Sequence, residues 1–202
     1  MPKVLSEADL ASFREKLCDI AEEQFAAHGL DGVTMRQLAE AMGVSSMTPY
    51  RYFKDKDAIL AAVRTRAFNA FAAAMEKAQV SMMKKGGGQP GAAYIDFALK
   101  NRAAYRMMFD TSQPTFADYP ELVKAMDRAR KTMTAGWKEL SAAGKFKGDV
   151  ELAGRLHWSA MHGAVMLELA GLLKKPLDAK TIALTAVRAL AKDMGVVFPG
   201  GK

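Results

Sequence analysis

The chain of 202 residues holds three histidines and one cysteine, and their spacing does not support catalysis. His157 and His162 stand five residues apart, so one helix face would not present both to a single metal ion, and no His-Glu-x-x-His pair exists. The glycine-rich run KGGGQPG lacks the Walker pattern for cradling phosphate, and no nucleophile motif is present. We therefore expect no catalytic residue, no metal, no cofactor and no enzyme activity. Residues 43–56, GVSSMTPYRYFKDK, suit a different chemistry. The short polar side chains of Ser45, Ser46 and Thr48 can approach base edges, while Tyr50, Arg51 and Tyr52 can reach phosphates. Val44 and Phe53 fit the inward face of such a segment.

The surrounding sequence supplies elements to hold that segment. A helix is expected from about Ser6 to Ala27, with Leu10, Phe13, Leu17, Ile20, Ala21, Gln24 and Phe25 mostly at i, i+3, i+4 and i+7 spacing, ended by Gly29. Thr34 and Gln37 have capping-box spacing before Met35, Leu38, Ala39 and Met42, the buried stripe of a short second helix. Gly43 permits a tight turn. A short helix over Ser45 to Tyr52 follows, then a long helix to about Met83 with Asp55 at its N-cap. A short helix, a glycine turn and a second short helix, preceded by a long one, form the layout of a helix-turn-helix. Pro49 has no N–H, so either Ser45 caps the third helix with its first turn tightened, or Thr48 caps it with proline at the first helical position.

At these residues the chain resembles a known family. FAAHGLDGVTMRQLAEAMGVSSMTPYRYFKDKDAIL, residues 25–60, is similar to the DNA-binding domain of the TetR/AcrR transcriptional regulators. The likeness lies in A-x-x-x-F-x-x-x-G, G-x-x-x-T, A-x-x-x-G-V-S and Y-x-Y-F-x-x-K. It implies that Ser45 to Tyr52 form the recognition helix and that Tyr50 and Tyr52 touch phosphates. Arg51 would sit near base edges or backbone, and Lys56 and Thr34 would bind phosphates from helix starts. Arg36, Ser46, Met47 and Thr48 complete the expected DNA-binding set. Pro49 stands where the family commonly has leucine, which leaves the base contacts of Ser45, Ser46 and Met47 open. A buried core role is the competing reading of each tyrosine.

Beyond KKGGGQPG, residues 84–91 and the clearest linker, helical patterns run over about 91–109, 118–143, 149–173 and 178–194. The family it resembles often has His-Pro where this chain has Asn101-Arg102, so the first of these is expected to run through without a break. DFALKNRAAYRMMFD and WSAMHGAVMLELAGLL resemble a C-terminal domain of some TetR-type regulators named for its Trp, His and Gly, here Trp158, His162 and Gly163. Met107, Met108, Met133, Trp137, His157, Trp158, Met161, His162 and Glu168 are the candidate lining for a small apolar or amphipathic effector, because methionine and aromatic surfaces adapt to apolar shapes. Ordinary core packing is the competing reading. Glu168 is expected to pair with an arginine or to be exposed. The small residues Ala160, Gly163, Ala164 and Gly171, with Ala183, Ala186 and Ala189, allow close helix contact. The resemblance implies a homodimer through the last two helices, with internal packing as the competing reading of these small residues.

Composition is consistent with this. Half of the residues are hydrophobic, and Ala, Leu and Met outweigh the β-branched types, which favours helix. The lone Cys18 excludes an intramolecular disulfide and fits a reducing, cytoplasmic setting. No signal peptide is evident, and no stretch is long and apolar enough to span a membrane. The net charge of +7 is uneven: residues 1–35 hold three Lys/Arg against seven Asp/Glu, and residues 36–66 hold six against three. We expect an all-α fold with a helix-turn-helix domain over 1–55, a connecting helix over 56–85 and a ligand-binding and dimerisation domain over 86–202. The implied function is a ligand-responsive repressor that binds a palindromic double-stranded DNA operator. A nonspecific DNA binder or a protein-interaction module is the alternative.

Overall fold

The structure, a computed structural model, describes residues 7–85, 90–110 and 116–196. The described residues form helices α1 (Glu7–His28), α2 (Met35–Ala41), α3 (Lys56–Lys85), α4 (Pro90–Lys100), α5 (Arg102–Met108), α6 (Pro120–Ala142), α7 (Val150–Leu169) and α8 (Ala179–Asp193). Two 3₁₀ turns, Pro49–Arg51 and Phe116–Asp118, accompany them. The only extended pairing among the described residues is an isolated bridge between Lys174 and Leu177. The fold is all-α, as expected. Ser6, residues 86–89 of the glycine-rich linker and the Val197-Phe198 tail lie outside the described residues.

Two compact units divide the chain, Met1–Phe68 with Ala103–Met126, and Asn69–Arg102 with Asp127–Lys202. Their boundary falls inside α3 and not at its ends, so the units differ from the expected divisions at 55/56 and 85/86. The reason lies in α5. Met107 is buried in the core of the first unit, and the buried Arg64 donates from Nη2 to the Met108 carbonyl at 2.8 Å. Burial pushes the Arg64 guanidinium down to about 10, against the opposing charge of Asp110.

In the first unit, Leu17, Cys18, Ala21 and Phe25 of α1 meet Leu38 of α2, Phe53, and Ile59, Leu60 and Val63 of α3. The expected stripe of α1 is thus largely inside, although Leu10 is exposed. Gly43 adopts φ +67, a conformation that costs other residues strain. It lets the Gly43 and Val44 N–H groups reach the Glu40 and Ala39 carbonyls as the chain leaves α2.

In the second unit, Phe71 of α3 meets Tyr94 and Phe97 of α4 edge to face. Arg128 of α6 grips Glu76 through two nitrogens and donates to Asn69 Oδ1. Gly154 of α7 lies so close to α6 that a Cβ there would stand 2.4 Å from Thr134 Cγ2. The run 91–109 is not one helix. The Asn101 side-chain amide donates to the Phe97 carbonyl, giving the backbone an alternative to continuing the helix, and α4 ends before it. Similarly, α7 stops at Leu169 and not near 173, because Gly171 takes φ +75 and the Leu172 N–H returns to the Leu167 carbonyl.

Leu38 is fully buried at the centre of the first core. Leu38→Ala should destabilise the protein by about 2–5 kcal/mol through lost transfer energy and the cavity left behind, read by urea titration followed by circular dichroism.

Candidate nucleic-acid interface and effector site

The N-terminus of α2 is closed by a complete capping box. The Gln37 N–H donates to Thr34 Oγ1 at 3.3 Å, and Gln37 Oε1 accepts from the Thr34 N–H at 2.8 Å. Thr34 and Arg36 are both exposed, while Met35, Leu38 and Ala39 turn inward. Asp55 caps α3 by accepting from the Ala58 N–H at 2.8 Å.

Between these helices the structure corrects the sequence reading. No α-helix forms over Ser45 to Tyr52; the segment contains only the 3₁₀ turn Pro49–Arg51. Pro49 has no N–H for the Ser45 carbonyl, which instead accepts from the Thr48 N–H at 2.9 Å. The Arg51 N–H then bonds to the Thr48 carbonyl, also three residues back, and the Tyr52 and Phe53 N–H groups share the Pro49 carbonyl. Proline stands at the start of the turn, as in the second sequence alternative, but Thr48 makes no side-chain cap. Its hydroxyl pairs with that of Ser45 at 2.9 Å.

Packing separates the candidate residues by exposure. Pro49 and Phe53 are buried, whereas Ser45, Ser46, Met47, Tyr50 and Arg51 are exposed and Thr48 is half-buried. Met47 is 67% and Tyr50 48% exposed, large values for side chains with so much apolar surface. Tyr52 differs from Tyr50: its ring stacks on Phe13 of α1, with centroids 4.0 Å apart. Lys56 is half-buried and donates from Nζ to the Leu30 carbonyl at 2.6 Å, so its ammonium ties the start of α3 to the loop before α2.

The expected effector residues are divided between the units. Met107 and Met108 are buried in the first unit. Met133, Trp137, His157, Trp158, Met161, His162 and Glu168 belong to the second. There Trp137 packs on Phe146 and donates from Nε1 to His157 Nδ1 at 3.4 Å. Burial pushes the His157 imidazole down to about 4 and lowers His162 as well. Trp158 donates from Nε1 to the hydroxyl of the buried Tyr94 at 3.1 Å. Among the described residues Glu168 pairs with no arginine, and it is half-buried, contrary to the sequence expectation. Its carboxylate accepts from the Ala179 N–H, where the unfilled donors and dipole of a helix start favour an anion.

Against known families, a model described as "Tetracyclin repressor-like, C-terminal domain" matches residues 89–190. A second, described as "Bacterial regulatory proteins, tetR family", matches residues 17–63. The chain belongs to the TetR family. This TetR-family chain is 43% identical over 63 residues to the HTH-type transcriptional repressor Rv1474c of Mycobacterium tuberculosis, a stretch covering 31% of this chain and 33% of that protein. The chain thus spans about a third of the length of that curated relative. Its fold matches a protein of unknown function from Rhodococcus sp. RHA1, with TM-score 0.78 and 24% identity, covering 96% of this chain and 99% of that one. It also matches SmeT, the repressor of the Stenotrophomonas maltophilia multidrug efflux pump SmeDEF, with TM-score 0.62 and 19% identity over 93% and 94% of the two chains. Among the described residues of this TetR-family chain, no helix is long and apolar enough to cross a membrane.

Sequence reasoning missed the part that Phe13 and Arg14 play in the helix-turn-helix of this TetR-family member. In the sequence Phe13 is only a member of the α1 stripe, and Arg14 carries no local signal, because its partners stand 38 positions and more away.

The burial of the His157 imidazole generates a pH dependence. The folded imidazole binds its proton below the ordinary value of 6.5, so the unfolded chain takes up that proton first as pH falls. Its contribution is complete above about 6.5 and is lost on the way to about 4, by at most roughly tenfold in the folding constant per pH unit. Urea titrations followed by tryptophan fluorescence should show this loss, and His157→Phe should flatten it in that window.

Proposed function

We propose that the protein is a ligand-responsive, one-component transcriptional repressor and not an enzyme. It binds a palindromic double-stranded DNA operator as a homodimer and releases it when a small apolar or amphipathic effector occupies the second unit. The observation that carries the reading is the exposed set Thr34, Arg36, Ser45, Ser46, Met47, Tyr50 and Arg51 around a capped α2 and the turn packed against it. None of these side chains serves the core. Short polar and aromatic groups on a helix-turn-helix frame suit base edges and phosphates in a major groove. The names of the curated relative and of SmeT, both repressors, agree with the direction of regulation.

The last two helices support the dimer. Leu152, Leu156, Met166 and Leu167 of α7 are exposed, although α7 packs extensively on α8 within the chain. An apolar helix face left in solvent by its own fold suits a second copy. Two recognition turns about 34 Å apart would then read successive major grooves. The effector would act by its differential affinity for chain conformations that hold those turns at different spacings.

Selection of random duplex DNA on the purified protein at physiological salt tests the reading. An enriched palindrome is expected, with Tyr50→Ala weakening binding by about tenfold or more. Leu156→Asp with Leu167→Asp should give a folded monomer by light scattering that no longer retains the palindrome. Retention of DNA without an enriched sequence would replace the operator reading with nonspecific binding.

A further inference from the structure

We infer that Arg14 of α1 is the positioning residue of the recognition turn, and that discrimination between DNA sequences depends on it although it need touch no base. The inference rests on the DNA-binding reading above. The turn has little internal support. Its backbone bonds are those of Arg51 to Thr48 and of Tyr52 and Phe53 to one shared carbonyl, that of Pro49. A single 3₁₀ turn of this kind does not hold its shape alone, because a short helical nucleus costs more conformational entropy than its few bonds return. Its shape therefore comes from what it packs on.

The neighbours Phe13 and Arg14 hold the turn at three points. Phe13 stacks flat on Tyr52, the rings inclined by 17°. Arg14 donates from Nη1 to the Tyr52 carbonyl, at the C-terminal end of the turn, where carbonyls lack helical donors. The same guanidinium lies over the face of the buried Phe53 ring, 4.0 Å from its centroid. A planar guanidinium can stack and donate in-plane at once, which a lysine ammonium cannot do. Tyr50 and Arg51, the exposed residues of the turn, are set in direction by the residues so held. The charge around Arg14 points the same way. It stands in the acidic segment 1–35, with three Lys/Arg against seven Asp/Glu, a poor setting for a cation meant to attract phosphate.

The test uses the full chain with Arg14→Gln and Arg14→Lys. Amide hydrogen exchange reads the turn without DNA. Affinities for the selected operator and for a random duplex, measured across salt concentrations, read its consequence. In both variants the Tyr52 and Phe53 amides should exchange about tenfold faster while Leu38 and Val63 keep their protection. Operator affinity should fall by about tenfold, the order expected for one cation–π contact with one charged hydrogen bond. Random-duplex affinity and the salt slope should stay the same. Wild-type behaviour of Arg14→Lys, or a salt slope reduced by about one, would mean that Arg14 acts by charge on a phosphate, and would overturn the inference. Unchanged exchange at Tyr52 and Phe53 would overturn it as well. If the wild-type protein enriches no sequence, the operator reading fails on its own, and the exchange result alone decides whether Arg14 holds the turn.

Discussion

Pro49 has no N–H to offer the Ser45 carbonyl, and the arrangement of the candidate interface follows from that shortage. A recognition segment with a full ladder of i to i−4 bonds would carry its own shape. Here the Ser45 and Thr48 carbonyls are satisfied from three residues ahead, the Pro49 carbonyl serves two donors, and the segment is a 3₁₀ turn. Its orientation must come from packing, through its own buried Pro49, Phe53 below, and Phe13 and Arg14 of α1 alongside. The apolar cluster around Leu17, Leu38 and Phe53 therefore does more than stabilise the first unit. It keeps the polar groups of 45–51 on the surface, because turning them inward would bury hydroxyls and a guanidinium without partners.

The second unit solves a different problem, the pairing of polar groups among packed helices. The Trp137 and Trp158 N–H groups find His157 and Tyr94, and the Glu168 carboxylate serves the first turn of α8. Each pairing joins two helices at a defined register, since a buried polar atom left unmatched costs more than an apolar contact shifted slightly. Met133, Trp137 and Met161 are buried in this unit. They are well placed as core, and an effector among them would have to displace contacts already made. Leu152, Leu156, Met166 and Leu167 of α7 are exposed among the described residues, which sets them apart from the core residues of the same helix.

Much of this was legible in the sequence, for local reasons. The capping box of Thr34 and Gln37, the glycine turn at Gly43, the Asp55 cap and the stripes of α1 and α2 are short-range patterns, and they appear in the structure, the α1 stripe without Leu10. Where local signals competed, reading failed. Asn101 looked like a tolerable helix residue, but its amide closes on Phe97 and ends α4. Glu168 looked like a partner for an arginine, but the start of α8 takes it. Tyr50 and Tyr52 look alike in sequence, yet one faces solvent and the other stacks on Phe13.

The sequence by itself determined the helical class, the helix-turn-helix pattern and, through motifs spread over residues 25–60, the family. These depend on propensity, capping and periodicity, which act over a few residues. Tertiary structure alone decided that α5 joins the first unit through Met107 and Arg64, and that Arg14 meets Tyr52 and Phe53. Those outcomes depend on contacts between residues 38 or more positions apart. No periodicity encodes such a contact; it exists only once the intervening helices have packed.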